Sequence, residues 1–155
     1  LHHHGYTWLG EKKTFDRESI RRPPPDQPPA GSSERDVLDR YREAVATFPT
    51  SEVPPLQTAH WLMKPPALIR GTWEEPKEAG AWLERELAAY APRFASVADQ
   101  EAARLAGLGT AAVEHLARGG DVSLGHYLRG TLFHSIAVVT CSPHHTAPEL
   151  PCPAR

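Results

Sequence analysis

The chain has 155 residues, enough for one domain, and a formal net charge of −2 from 17 Lys and Arg against 19 Asp and Glu. Its basic residues are scattered, which argues against a nucleic-acid partner, and no apolar run approaches the roughly 20 residues of a membrane helix. Two cysteines are too few for a disulfide framework in a chain this long, so the cytoplasm is the default compartment. Richness in Ala, Arg, Gly and Pro fits a high-GC bacterial coding bias, by association only.

Leu1-His2-His3-His4-Gly5 reads as the stub of a purification tag, and on that reading residues 1–5 are set aside from metal chemistry. Tyr6 to Phe15 holds two short extended pieces around Gly10, which can pack through Trp8 and Phe15 as an edge strand. Arg22-Pro-Pro-Pro-Asp-Gln-Pro-Pro-Ala-Gly31 follows. Each proline fixes φ and removes an N–H, so this run is polyproline II or irregular linker. It contains Pro25-x-x-Pro28, the form of an SH3-type ligand, although a solvated linker is the simpler reading. Residues 1–32 therefore read as a proline-rich N-terminal arm. Residues 33–155 read as a single globular domain with a proline-rich C-terminal tail.

A first helix follows a Ser32 or Ser33 cap. Val37, Leu38, Tyr41, Val45 and Phe48 recur at helical spacing, with Asp39, Arg40, Arg42 and Glu43 opposite, and Pro49 ends it. Between the prolines of 49–66, Leu56 to Met63 predicts two helical turns that bury Trp61 and Leu62. Thr72-Trp-Glu-Glu75 has the form of a capping box, with Pro76 in the first turn of a second helix. Ala79, Trp82, Leu83, Leu87 and Tyr90 are its apolar stripe, and Pro92 stops it. A third helix runs from a Ser96 cap to about Arg118, lined by Val97, Leu105, Leu108, Ala112, Val113 and Leu116. Gly107 and Gly109 inside it predict either a break near Leu108 or a close helix crossing. Gly119-Gly120 is its stop signal.

After Gly120 the period changes from 3.6 to 2. Val122, Leu124, His126 and Leu128 alternate, Arg129-Gly130 makes a turn, and Thr131 to Cys141 is a β-branched second strand. Pairing Leu128 with Thr131 would set His126 opposite Phe133. Ile136 to Val139 is apolar on both faces, so that strand needs cover on both sides. The expected class is α+β, with about three helices packed on a small antiparallel sheet containing a C-terminal β-hairpin. Two strands alone are marginal. A third from residues 6–15, or one from a second copy, would complete the sheet, which makes self-association or a protein partner an expectation.

Chemistry concentrates at the end. Cys141-Ser-Pro-His144-His145 is followed by Cys152. Zinc takes thiolate and imidazole ligands in a tetrahedron, so Cys141, His144 or His145, and Cys152 are candidate ligands for Zn. A closed site needs a fourth, from His60, His115, His126 or His134. His134 is a poor choice, because seven positions from Cys141 along a strand put it on the opposite face. Two alternatives stay open. One is a Cys141–Cys152 disulfide, worth about 3 kcal/mol in the chain-entropy model. The other is a cysteine pair with no chemistry. Nucleophile elbows, H-E-x-x-H and phosphate loops do not occur. The residues point first to a small non-enzymatic accessory or protein-interaction protein with a structural zinc in its tail. The alternative is a small enzyme using Cys141, His144 and His126 beside the 121–141 hairpin.

Overall fold

The computed structural model describes residues 1–25 and 35–154. The Ser32 or Ser33 cap and the Pro28 end of the Pro25-x-x-Pro28 segment lie outside the described residues. Four strands, β1 (His2–Glu11), β2 (Gly71–Trp73), β3 (Val122–Tyr127) and β4 (Leu132–Cys141), form one antiparallel sheet in the order β2-β1-β4-β3. The helices are the single turn α1 (Lys12–Phe15), α2 (Arg35–Thr47), α3 (Pro76–Tyr90) and α4 (Ala102–Ala117). The α+β class, with its C-terminal hairpin, is as expected.

The N-terminal strand differs from expectation in place and extent. It begins at His2 and lies inside the sheet, paired with β4 from His2↔Cys141 to Glu11↔Leu132 and with β2 from His3 to Gly5. The reason lies in β4. A strand buried from Phe133 to Cys141 exposes no edge to water, so it needs a long neighbour on each side. β1 supplies one and β3 the other. Gly5 makes the helical side possible, because a Cβ there would come within 2.7 Å of the Trp82 ring and 2.9 Å of Trp73.

Side chains alternate across the sheet. Ile136 and Val138 face α3 and α4, packing with Leu83, Leu87, Leu105 and Leu116. Tyr6, Ala137, Val139 and Cys141 face the other way, against Trp61 and Leu62. The expected cover on both faces of Ile136 to Val139 is present. Trp61 and Leu62 are buried as expected, on a 3-10 turn (Thr58–Met63).

Three local expectations are corrected. Thr72 does not cap α3. It is recruited into β2, and Glu75 stands at the N-cap without a side-chain bond. The third helix starts at Ala102, not Ser96, after a separate 3-10 turn at Ala98–Gln100. The hairpin is one residue longer than supposed. Leu128 N–H donates to the Leu132 carbonyl, Gly130 takes φ of 92°, and His126 therefore pairs with His134 instead of Phe133. Of the two glycines of the third helix, Gly109 marks a crossing and not a break, while a Cβ at Gly107 would meet nothing within 4 Å. A Cβ at Gly80 of α3 would meet Val113 Cγ2 of α4 at 2.4 Å, and Gly109 lies against Glu84.

Candidate metal centre

Strand geometry builds one cluster of donors. His2 and His4 are two apart on β1 and share a face, and His2 sits directly across from Cys141 at the end of β4. Past Cys141 the chain reverses through Ser142, whose φ is 72°. The tail then returns along the same face, where Leu150 and Cys152 pack on the cluster of Tyr6, Trp61 and Cys141. Three separated segments thus deliver His2, His4, Cys141 and Cys152 to one place, with all four ligand atoms within 4.8 Å of one another. Such a group can hold a metal ion.

The distances fit a small ion. His2 Nε2 lies 3.0 Å from His4 Nε2, 3.2 Å from Cys141 Sγ and 3.4 Å from Cys152 Sγ, and His4 Nε2 lies 3.4 Å from Cys152 Sγ. A tetrahedron with zinc bond lengths has edges of about 3.4 Å between nitrogens and about 3.6 Å between nitrogen and sulfur. The observed edges are a few tenths shorter, so seating an ion requires only a small expansion. Both cysteines are thiols.

His4 is prepared for ligation. Its Nδ1 bonds Thr72 Oγ1 at 2.8 Å, which leaves Nε2 aimed at the sulfurs. Burial, with His2 and His3 nearby, pushes its pKa down to about 4, so the ring is neutral, as a ligand must be. Tyr6 lies behind it, stacked on Trp61 with its hydroxyl buried. Burial and the two cysteines raise that phenol's pKa, so it stays protonated. His3 points to the opposite face. There its Nδ1 meets Thr140 Oγ1 at 2.7 Å, and the Thr140 hydroxyl donates to the Gly120 carbonyl.

A second group contains Asp121, His144 and His145. Here hydrogen bonds use the imidazole. His144 Nδ1 accepts the N–H groups of Thr146 and Ala147, each at 3.2 Å. The ring proton therefore sits on Nε2 and is donated to Asp121 Oδ2. The other oxygen of Asp121 accepts Thr140 N–H at 2.9 Å. His144 is 1% exposed, and both its nitrogens are spent on holding the tail against the sheet. His145 is exposed and stands beside it.

Of the residues expected at a metal site, the structure brings Cys141 and Cys152 together and places His144 and His145 with Asp121. None of His60, His115, His126 or His134 falls in either group among the described residues. His126 lies on β3, stacked on Phe94 with ring centroids 4.2 Å apart, away from Cys141 and His144. The partners missing from the sequence reading were His2 and His4, set aside with residues 1–5. The available signal was His-x-His leading into the alternation of Tyr6 and Trp8, which continues one strand face back to residue 2.

Comparison with protein-family models, curated proteins and solved structures returned no match for the chain. Among the described residues no helix is long and apolar enough to cross a membrane.

Proposed function

We propose that the chain is a small non-enzymatic accessory or protein-interaction protein held together by a structural zinc at His2, His4, Cys141 and Cys152. The convergence of two imidazole nitrogens and two thiols from the first strand, the last strand and the tail carries this reading. Two sulfurs and two nitrogens suit zinc better than the oxygen-seeking Mg²⁺ or Ca²⁺. Four protein ligands fill the coordination sphere and leave no open position for a substrate, the mark of a structural site. His4 and Cys141 are buried, which keeps water from the metal. The ion would pin the start of β1, the end of β4 and the tail to a common point, at one end of the β1–β4 ladder. Thiolate ligation suits a reducing compartment, in line with the cytoplasm. His144 and His145 then belong to the tail's attachment, through Asp121, and not to the ion.

Elemental analysis tests this on protein released from a cleavable fusion that carries no polyhistidine. The expected content is about one zinc per chain, lost when Cys141 and Cys152 are both changed to Ser. A metal-free protein whose two thiols react freely with a disulfide reagent while folded would end the proposal.

A further inference from the structure

The outer edge of β1 is only partly covered. β2 pairs with His3 to Gly5, and Arg70 closes that ladder by donating its N–H to the Gly5 carbonyl at 2.7 Å. The main-chain groups of His3 and Gly5 therefore point outward, and the period of two turns those of Thr7 and Leu9 the same way. Among the described residues no backbone group pairs with Thr7 or Leu9 on that side. They open onto a cavity of about 200 Å³ also walled by Glu52, Arg70, Tyr90 and His134.

His134 is the unusual wall. It is 1% exposed and lies on the Tyr90 ring with centroids 4.1 Å apart, yet among the described residues neither of its nitrogens has a hydrogen-bond partner. Buried polar atoms are almost always paired, so one donor and one acceptor here await a ligand group. Arg70 is exposed, and no carboxylate pairs with it among the described residues.

Direction follows from the sheet. A peptide laid against Thr7 and Leu9 in line with β2 runs antiparallel to β1, with its C-terminal end toward Gly71. Arg70 already fills the next place, so such a peptide must end there. We propose that this edge binds the free C-terminus of an extended peptide, whose main chain pairs with Thr7 and Leu9 and whose carboxylate meets Arg70. Strand addition with carboxylate capture is a general recognition mode. A peptide side chain opposite Leu9 shares the face of His134, the cross-strand partner of Leu9. A neutral hydrogen-bonding side chain, such as Ser, Thr, Asn or Gln, would satisfy that ring, and Glu52 disfavours an acidic one. The inference does not depend on the metal reading.

The test is selection from phage that display random heptapeptides with free C-termini, using the full chain as purified as bait. Selected peptides are then titrated as acids and as C-terminal amides by fluorescence anisotropy. The amide should bind at least about tenfold more weakly than the acid, and Arg70→Ala should weaken the acid by a similar factor while leaving the amide unchanged. Thr7→Pro removes one outward N–H and should abolish binding of both. If it fails to fold, the exposed Arg70→Ala variant carries the test. No enriched C-terminal sequence, equal binding of acid and amide, or an unchanged Arg70→Ala affinity would each overturn the proposal. So would sedimentation showing that the edge pairs with a second copy of the chain.

Discussion

The two ends of β4 hold equally buried titratable groups in opposite circumstances. Cys141 and His134 are each 1% exposed. Around Cys141, the residue across the ladder, its i+2 neighbour and the returning tail all carry donors, so four lone pairs converge. Around His134 the cross-strand neighbours are Leu9 and His126, and the rings of Tyr90 and Phe94 cover the two histidines. Burial is common to both ends. Convergence of donors on one strand face is what makes one of them a metal-capable site, and its absence leaves the other with unspent hydrogen-bonding capacity.

Removing donors from the Cys141 end should have the largest effect. Cys141→Ser or Cys152→Ser should abolish stoichiometric zinc and lower stability by about 4 kcal/mol when zinc is present at a thousandfold excess over its Kd. Thermal melts with and without a chelator check this. The chelator should lower the wild-type melting temperature and leave a Cys141→Ser, Cys152→Ser double variant where it is. His134→Phe should keep its zinc, and loss of the metal in that variant would erase the contrast between the two ends.

Acid should reveal the cost of the His134 end. Burial first, then the nearby charges of His126 and Arg93, push its pKa from 6.5 down to about 4. The unfolded chain therefore binds a proton that the folded chain refuses. The stability contributed is fully present above pH 6.5 and is lost as pH falls toward 4. Between pH 7.5 and pH 5 this one group should remove about 2 kcal/mol. His134→Phe keeps a ring on Tyr90 and cannot protonate, so denaturant melts at the two pH values should differ by that much less. Equal acid sensitivity in variant and wild type would show that His134 is not held neutral by its surroundings.

Asp121 tests how far hydrogen bonding, not metal, secures the tail. Asp121→Ala strands Thr140 N–H and the His144 Nε2 proton in a buried place, and should cost about 2 kcal/mol with zinc content unchanged. A loss of zinc in that variant would merge the two His-containing groups into one.

Legibility of the sequence followed the range of the physics. The hairpin, the helices and the two-sided burial of Ile136 to Val139 rest on local periodicity, which neighbouring residues encode. The face argument that separates His134 from Cys141 also needs only the pleat. The remaining features depend on long-range pairing. The register His2↔Cys141 is fixed by the burial of β4, which forces β1 into the sheet. No local pattern states that residues 2 and 141 meet. Thr72 shows the same limit. Its local sequence has the form of a helix cap, and strand pairing with β1 overrides that signal by carrying its hydroxyl to His4.

Thr72 also gives the finest test of the comparison, because it separates a donor that is merely near from one that is aimed. If Nε2 of His4 binds the metal, its ring proton sits on Nδ1, and Thr72 Oγ1, 2.8 Å away, is placed to accept it and hold that tautomer. Among the described residues His134 has no such orienting partner. Thr72→Val keeps the shape and the β-branching that suit β2, and removes only the hydroxyl. Zinc affinity, measured by competition with a chromophoric chelator, should fall by about tenfold to a hundredfold, as for other outer-shell partners of metal-bound histidines. The melting temperature of metal-free protein should hardly change, since Thr72 is exposed and a valine fits a strand. Thr72→Ser restores the hydroxyl and should recover most of the affinity. If Val and Ser weaken binding alike, the methyl group and not the hydrogen bond places His4, and orientation by Thr72 is wrong even though the four donors still converge.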